Sequence, residues 1–351
     1  MLRTGRTMSN GIMVAGRMVP CMELVTRSKR PGMECSIDVF YEECAGFSVH
    51  LDDKTTYKVV LVDRGSFVAE EDGKYRLITS PAAIAMNEKA ELKVISERGV
   101  KSRTLFFNPT ILRDEFTIEN LNSGKYDRFF SALPDEKELT AQEKMNLLID
   151  GDVKFDECFS KEMIYQDALL LSGFCRRGRD ISFYTLSNEA NDTLRRFLCS
   201  IRYEVKEQPD NFWILRIRHF IEEILFFEVA DFYRDYRQDE IYSDPLVVKV
   251  IQYFWSNMGE EITLATLLKE FSVNKNILND AFNKEVGMPC MSYLENLRMA
   301  HARTELQYSD RTISEISLRC GYSDTNYFSK VFKKHMGLSP KEFRKNMNNL
   351  C

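Results

Sequence analysis

The sequence predicts an α+β, multidomain fold, with antiparallel β-structure in the N-terminal part and an all-α domain at the C-terminus. Two observations predict it. Short runs of β-branched and aromatic residues, separated by turn residues, fill positions 34–108. From about residue 187 onwards, apolar residues recur instead at helical spacing. A chain of 351 residues is long enough for two or three domains.

The N-terminal segment, residues 1–33, is basic and is expected to be a disordered leader. It has no continuous apolar core of the kind that a secretion signal needs. Met18, Met22 and Met33 could each be the true translation start. The sequence contains no run of 18 apolar residues, so we expect no membrane span.

Cysteine and histidine usage argues against disulfide and metal chemistry. The nine cysteines are odd in number and form no C-x-x-C pair. This argues against a disulfide framework or a zinc ribbon and for a reducing, cytoplasmic location. The four histidines lie far apart and form neither H-x-H nor H-E-x-x-H. We therefore expect no metal site and no cofactor.

The β-rich part is expected to form one domain over residues 34–180. Its strand runs include Val59–Val62 and Tyr75–Ile78. The turn signals between strand runs are Arg64-Gly65, Glu71-Asp72-Gly73 and Arg98-Gly99. Short strands at this spacing predict a small antiparallel barrel or a sandwich. A helix from Ser160 to Phe174 is expected near the end of the domain.

An αα-hairpin is predicted within residues 181–236. Apolar residues at helical spacing indicate helices over residues 187–206 and 212–234, with a break at 208–211. Two interpretations stay open: the hairpin caps the β-domain, or its crowded aliphatic and aromatic residues form a dimerisation face. The polar segment 237–245 ends in proline and is expected to be the interdomain linker.

Residues 246–347 predict an all-α domain in which helix, tight turn and helix occur twice, joined by a long helix. Thr312 and Glu315 have the spacing of a capping box. Gly321 and Gly337 stand where helices should stop. The sixth helix of this domain is expected to begin after Tyr322-Ser323 and to stop at Gly337, with Ser323 or Asp324 as its N-terminal cap. This arrangement predicts two helix-turn-helix units.

The sixth helix has two different faces. An apolar stripe is expected to face the core: Phe328, Val331, Phe332 and Met336. The opposite face carries short hydrogen-bonding side chains and lysines: Thr325, Asn326, Ser329, Lys330 and Lys333. These side chains suit base edges first and phosphates second. The simpler alternative is a solvated helix face.

Charge is distributed unevenly along the chain. The net charge is −5, yet residues 245–351 carry 14 basic and 11 acidic side chains. Residues 311–345 carry eight basic and three acidic ones. Such an asymmetry indicates that this part meets a polyanion. Since the second helix of a helix-turn-helix enters the major groove, the expected partner is double-stranded DNA.

Residues from about 245 to 345 resemble the DNA-binding domain of the AraC/XylS family of bacterial transcription regulators. Leu294, Arg298 and Ala302 fit the long connecting helix of that family, and Ser317 stands where alanine is usual. The residues that match the family signature are Ile313, Glu315, Ile316, Gly321, Tyr322, Asp324, Tyr327, Phe328, Ser329, Lys330, Phe332, Lys333, Lys334, Gly337, Ser339, Pro340, Phe343 and Arg344.

The first helix-turn-helix departs further from the family pattern S-x-x-x-L-x-R-x-F-K. The corresponding residues are Asn274, Leu278, Asp280, Phe282 and Asn283. Asp280 replaces the usual arginine, and a carboxylate is repelled by phosphate but can accept from cytosine N4. We expect this unit to bind more weakly or to read a different base. The predicted DNA-binding residues are Asn274, Lys275, Asn276, Asn279 and Asp280, with Thr325, Asn326, Ser329, Lys330 and Lys333.

The N-terminal half resembles the cupin-like sensing and dimerisation domain of the same family. The resemblance implies a cupin-like antiparallel β-barrel, a small effector such as a sugar, and a homodimer. The resemblance of the C-terminal part to the same family implies a contact between that part and RNA polymerase. It implies a transcription activator rather than an enzyme. Arg64 and Arg103 could contact an anionic or sugar-like effector, or could form turn or surface salt bridges.

Two alternatives to an effector-sensing regulator stay open. One is a regulator without a small-molecule effector, controlled by its abundance or by a protein partner. The other is a cupin-type enzyme fused to a regulatory tail, against which the lack of clustered histidines argues.

Overall fold

The computed structural model describes residues 12–14, 17–19, 24–126, 163–164, 166–175, 180–232 and 241–348. Much of the predicted leader, residues 160–162 and 165 of the helix predicted from Ser160 to Phe174, and part of the predicted linker lie outside these residues. The described part of that predicted helix is helical at residues 163–164, 166–170 and 172–174. The chain divides into two compact units. The first unit comprises residues 1–65, 79–92 and 99–238, and the second comprises residues 66–78, 93–98 and 239–351.

The chain begins with short antiparallel strand pairs. Strands β1 (Ile12–Val14) and β2 (Arg17–Val19) pair with each other, as do β3 (Thr26–Arg27) and β4 (Ser36–Ile37). A seven-stranded sheet follows. Its strands are β5 (Val39–Ala45), β6 (Tyr57–Glu71), β7 (Lys74–Thr79), β8 (Ala82–Met86), β9 (Lys93–Phe107), β10 (Ile181–Thr185) and β11 (Ile241–Tyr242).

The pairing of this sheet leaves it open in the part of the chain that is described. The strand order is β10-β8-β6-β7-β11, and β9 pairs with both β6 and β5. Pairing of β5 with β9, of β6 with β8 and of β8 with β10 is antiparallel, as expected. No closed barrel is seen among the described residues, so the predicted cupin-like barrel is not confirmed.

Two of the three predicted turns are not turns. Gly65 lies inside β6 and Gly99 inside β9, so the predictions at Arg64-Gly65 and Arg98-Gly99 were wrong. Both glycines have positive φ, at 86° and 60°. Glycine adopts such angles without steric cost, so a strand can bend there and continue, as at a β-bulge. The turn at Asp72-Gly73 is confirmed, and both residues have the positive φ of a two-residue hairpin loop.

The predicted αα-hairpin is confirmed as helices α3 (Asn188–Glu207) and α4 (Trp213–Phe232). They follow the short helices α1 (Ile118–Asn122) and α2 (Ser172–Cys175). Helix α3 ends at Gln208, whose φ is 47°. The turn is held by Arg216, which forms ion pairs with Glu204 at 2.7 Å and Asp210 at 2.9 Å.

The core of the first unit lies between one face of the sheet and this hairpin. The helices contribute fully buried apolar side chains along one stripe each, and the sheet contributes every second residue of its central strands. The packed side chains include Val59, Leu61, Leu105, Phe107, Leu194, Leu198, Ile201, Trp213, Ile217, Ile221 and Ile224. The hairpin therefore caps the sheet, as one of the two open interpretations expects.

The second unit contains seven helices in the part that is described. They are α5 (Pro245–Ser256), α6 (Leu264–Glu270), α7 (Lys275–Val286), α8 (Cys290–Tyr308), α9 (Ile313–Arg319), α10 (Thr325–Met336) and α11 (Pro340–Asn348). Their buried residues form two clusters. One contains Val247, Ile251, Phe254, Leu267, Leu278 and Phe282, and the other contains Met299, Leu306, Ile316, Phe328 and Phe332. Among the described residues, no helix has the length and apolar character that crossing a membrane requires.

Strand segments belong to the core of the second unit. Val68 of β6 is fully buried in the first cluster. The side chain of Gln252 is buried and donates to the Ser66 carbonyl at 3.0 Å, while its oxygen accepts from the Ser96 hydroxyl at 2.6 Å. Arg98 pairs with Glu270 at 3.0 Å. The second unit is thus built from three separate stretches of sequence.

Candidate nucleic-acid interface

The second unit contains the same helix-turn-helix arrangement twice. Helices α6 and α7 form the first and helices α9 and α10 the second, with α8 between them. Asn274 and Asp324, 50 positions apart, precede α7 and α10 and occupy equivalent cap positions. Helices α7 and α10, which we name the recognition helices, both end at glycines with positive φ, Gly287 and Gly337. The two predicted units are therefore present.

Side-chain caps fix the first turn of each recognition helix. The Asn274 amide oxygen accepts from the Ile277 N–H at 2.9 Å. One Asp324 carboxylate oxygen accepts from the N–H groups of Asn326 and Tyr327, at 2.7 and 3.2 Å. Asp324, not Ser323, is therefore the cap. A carboxylate also suits the positive end of the helix dipole.

The predicted DNA-binding residues of α7 differ in availability. Lys275, Asn276 and Asp280 are exposed. The Asn274 oxygen is engaged in capping. Asn279 is half-buried, and its amide oxygen accepts from the backbone N–H of Cys290 at 3.2 Å. Its amide NH2 group remains as a donor, so Asn279 would donate a hydrogen bond to an acceptor atom on a base edge.

The predicted residues of α10 form a more continuous polar face. Asn326, Lys330 and Lys333 are exposed, whereas Thr325 and Ser329 are half-buried. The Ser329 hydroxyl donates to the Thr325 carbonyl at 2.8 Å, so its remaining capacity is as an acceptor. On the opposite side, the predicted core stripe is confirmed for three residues that are buried: Phe328, Val331 and Phe332.

The turn before α10 depends on a close approach of the backbone to a buried arginine. Gly321 has φ 76°, and a Cβ there would lie 2.7 Å from the Met258 carbonyl and against the Arg298 guanidinium. Arg298 is buried, which lowers its pKa, and it donates to the Glu260 carbonyl at 2.6 Å. The predicted capping box of Thr312 and Glu315 is confirmed and starts α9.

Helix α10 is also tied to the connecting helix α8. His335 Nε2 lies 2.8 Å from a Glu295 carboxylate oxygen. Nearby, Glu305 of α8 pairs with Arg311 at 2.7 Å. The first contact holds the second recognition helix, and the second holds the segment before α9, against the helix that links the two helix-turn-helix units.

The two arginines considered for an effector lie on the sheet. Arg103 pairs with Glu43 at 2.9 Å and with Asp63, which agrees with the salt-bridge interpretation. Arg64 is exposed on β6. Among the described residues, no group of three or more His, Cys, Asp or Glu side chains could hold a metal ion.

Comparison with known sequences identifies the type of helix-turn-helix domain in the C-terminal part of the chain. A family model described as "Helix-turn-helix domain" matches residues 267–346, which include both recognition helices. The HTH-type transcriptional activator RhaR of Escherichia coli (strain K12) is 34% identical over 102 residues. The C-terminal part of this chain is an AraC-type helix-turn-helix domain. The RhaR match covers 29% of this chain and 36% of RhaR, so the chain spans about a third of the length of the curated relatives it matches.

Parts of two solved structures are also similar to this chain. The C-terminal domain of AraT, a response regulator from Geobacillus stearothermophilus, is 31% identical and covers 29% of this chain and 86% of that one, with a TM-score of 0.29. The DNA-binding domain of AdpA, in complex with a target DNA, is 24% identical and covers 30% of this chain and 93% of that one, with a TM-score of 0.28.

Two exposed residues on the AraC-type recognition helices were missed by sequence reasoning. Ile277 and Tyr327 occupy the third position of α7 and α10, and both are exposed. Their exposure could have been predicted from helical spacing. Each lies one position before the residue that begins the buried apolar stripe of its helix, Leu278 or Phe328. Each therefore falls outside the apolar stripe that faces the core.

Proposed function

We propose that this chain is a sequence-specific DNA-binding regulator that activates transcription. The observation that carries the proposal is the pair of capped recognition helices, each with a buried apolar face and an exposed polar face. The α10 face combines an amide with two lysines, which can serve base edges and phosphates. RhaR is named a transcriptional activator, which supports activation here.

The proposed mode of binding places α7 and α10 in successive major grooves on one face of the duplex, about 34 Å apart. Helix α10 would supply most of the affinity, because Lys330 and Lys333 are exposed on it. Helix α7 would supply specificity peculiar to this chain, because Asp280 is exposed where the family pattern has arginine. A carboxylate can distinguish cytosine from the other bases by accepting a hydrogen bond from cytosine N4. The same carboxylate repels phosphate and so lowers the affinity for the DNA backbone.

The test is selection of bound duplexes from a random pool by the full chain, followed by affinity measurement across salt concentrations. We expect one enriched sequence and a logarithmic salt dependence with a slope of roughly −0.9 for each phosphate contact. Equal affinity for the enriched and random duplexes would contradict the proposal. Footprinting across the genome would then identify the regulated promoters.

For the first unit we propose a role in dimerisation. Leu215 and Phe226 are 62% and 64% exposed on α4. They are eleven residues apart and so share one face of the helix. A second copy of this chain would cover them and would double the number of phosphate contacts. Leu215→Glu with Phe226→Glu should convert a dimer into a monomer in sedimentation, whereas a wild-type chain that is already monomeric would refute the role.

We further propose that the first unit senses a small effector such as a sugar. The alternative is a regulator controlled by its abundance or by a protein partner. Thermal shift against a panel of sugars and organic acids separates them, because a bound ligand raises the midpoint by mass action. If no compound in the panel raises the midpoint, the alternative is favoured.

RNA polymerase is the proposed partner at the promoter, and the cytoplasm is the proposed location. The family is generally non-enzymatic, and we assign no catalytic role.

A further inference from the structure

The first recognition helix exposes an isoleucine among polar neighbours. Ile277 is 52% exposed, whereas Leu278 and Phe282 of the same helix are fully buried. Lys275 and Asn276, which precede it, are polar and exposed. A single exposed apolar residue is common on protein surfaces and by itself indicates nothing. Ile277 differs from such residues because it lies in the first turn of recognition helix α7.

Local structure holds Ile277 in a fixed direction. Its N–H donates to the Asn274 cap at 2.9 Å, so it lies in an ordered first turn. A β-branched side chain in a helix has one strongly preferred χ1 rotamer, so little conformational entropy is lost when it makes a contact. Ile277 is therefore a rigid apolar projection from the N-terminal turn of α7.

The second recognition helix has a large side chain at the equivalent position. Tyr327 is 55% exposed, and its N–H donates to the Asp324 cap at 3.2 Å. In a helix-turn-helix, the N-terminal residues of the second helix contact base edges. Both helices thus present a large side chain at the place where bases are read. Tyr327 matches the family signature, whereas Ile277 occupies a position that the family pattern leaves open.

The chemistry of the major groove identifies the contact. The apolar group that the bases present there is the C5-methyl group of thymine. We propose that Ile277 reads thymine by covering the 5-methyl group of one base in the sequence bound by α7. This inference rests on the proposed DNA binding. Asp280 lies three residues further along, on the same face of the helix. The thymine would therefore neighbour the base pair that Asp280 reads.

The experiment uses the full chain and the duplex enriched by selection. Each thymine in turn is replaced by deoxyuridine, which removes the 5-methyl group and leaves the hydrogen-bonding groups in place. For the wild type we expect one replacement to weaken binding roughly fourfold, which corresponds to about 0.8 kcal/mol for one buried carbon. Ile277→Ala should bind the thymine and deoxyuridine duplexes equally, and Ile277→Val should keep the preference.

A matched control is available in the same unit. Ile241 is 51% exposed but lies in β11, away from both recognition helices in the sequence. Ile241→Ala should keep the roughly fourfold preference, because the same apolar group is removed elsewhere. Ile277 is exposed and its replacement leaves the core intact, so loss of folding does not obscure the result.

Three results would overturn the inference. The wild type could tolerate every thymine replacement, Ile277→Ala could retain the preference, or Ile241→Ala could abolish it. In each case specific binding would persist, so the proposed function would stand. A chain that enriches no sequence would overturn the proposed function and this inference together.

Discussion

Ser272 occupies in the first helix-turn-helix unit the turn position that Gly321 occupies in the second. Both lie two residues after the end of their helix, and both have left-handed backbones, with φ at 53° and 76°. A residue with a side chain pays a steric cost of about 1–2 kcal/mol in this conformation, which glycine avoids. The two units are therefore built on the same turn but with different local strain.

We predict that Ser272→Gly stabilises the chain by about 0.5–1 kcal/mol, because relief of the left-handed strain exceeds the extra backbone entropy of glycine. Ser272 is exposed, so few contacts are lost. Urea denaturation should show a higher midpoint with an unchanged slope. A lower midpoint would mean that the serine side chain stabilises the turn.

We predict that Gly321→Ala destabilises the chain by about 3 kcal/mol, because backbone strain adds to a clash with the Met258 carbonyl and Arg298. Gly337→Ala is the matched control. It has the same φ of 76°, but its Cβ would have nothing within 4 Å. We expect it to cost only about 1 kcal/mol. Equal losses in denaturation would show that Arg298 and its surroundings adjust freely.

We predict that Lys330→Ala weakens binding to the selected duplex by about 1–3 kcal/mol if Lys330 contacts a base. An equal loss on random DNA would instead make Lys330 a phosphate contact. The control is Lys101→Ala, which removes the same charge from an exposed position on β9. Fluorescence anisotropy should show no change for this control. If Lys330→Ala binds the selected duplex with full affinity, Lys330 does not contact DNA.

We predict that Gln252→Leu destabilises the second unit by about 2 kcal/mol. The substitution conserves volume but leaves the Ser96 hydroxyl and the Ser66 carbonyl without this buried partner. Gln307→Leu on the exposed side of α8 is the control and should be nearly neutral. A second substitution, Ser96→Ala, should cost less in the Gln252→Leu background than in the wild type. Additive losses would show that the two side chains are not coupled.

We predict that protonation of His301 destabilises the folded chain. Burial lowers the pKa of His301 below its usual 6.5, and Arg311 and Arg319 act in the same direction while Glu305 opposes them. Below about pH 6.5 the unfolded chain therefore binds more protons than the folded one, and stability falls as pH falls. His301→Gln should flatten this part of the stability profile. An unchanged profile in His301→Gln would contradict the prediction.

Local sequence patterns predicted the second unit well. The capping box at Thr312, the cap at Asp324 and the buried stripe of α10 all depend on residues within one turn of each other. Interactions of this range are encoded by spacing alone. The α10 polar face could be listed for the same reason.

Features that depend on distant residues could not be predicted. Gly65 and Gly99 are turn formers by type, yet pairing with neighbouring strands keeps both inside a sheet. The engagement of the Asn279 oxygen depends on the backbone of Cys290, which belongs to the next helix. The role of Gln252 depends on strands more than 150 positions away. Tertiary context overrides local preference in each case.

The three-part composition of the second unit matters for anyone who cuts or grafts this chain. A fragment that begins at residue 239 contains every helix from α5 to α11, but it lacks residues 66–78 and 93–98. It would remove Val68 from the buried cluster that contains Val248 and Ile251, and it would deprive Gln252 of Ser66 and Ser96. A transplantable DNA-binding module would need these strand segments supplied, or its first helix redesigned with a water-compatible surface.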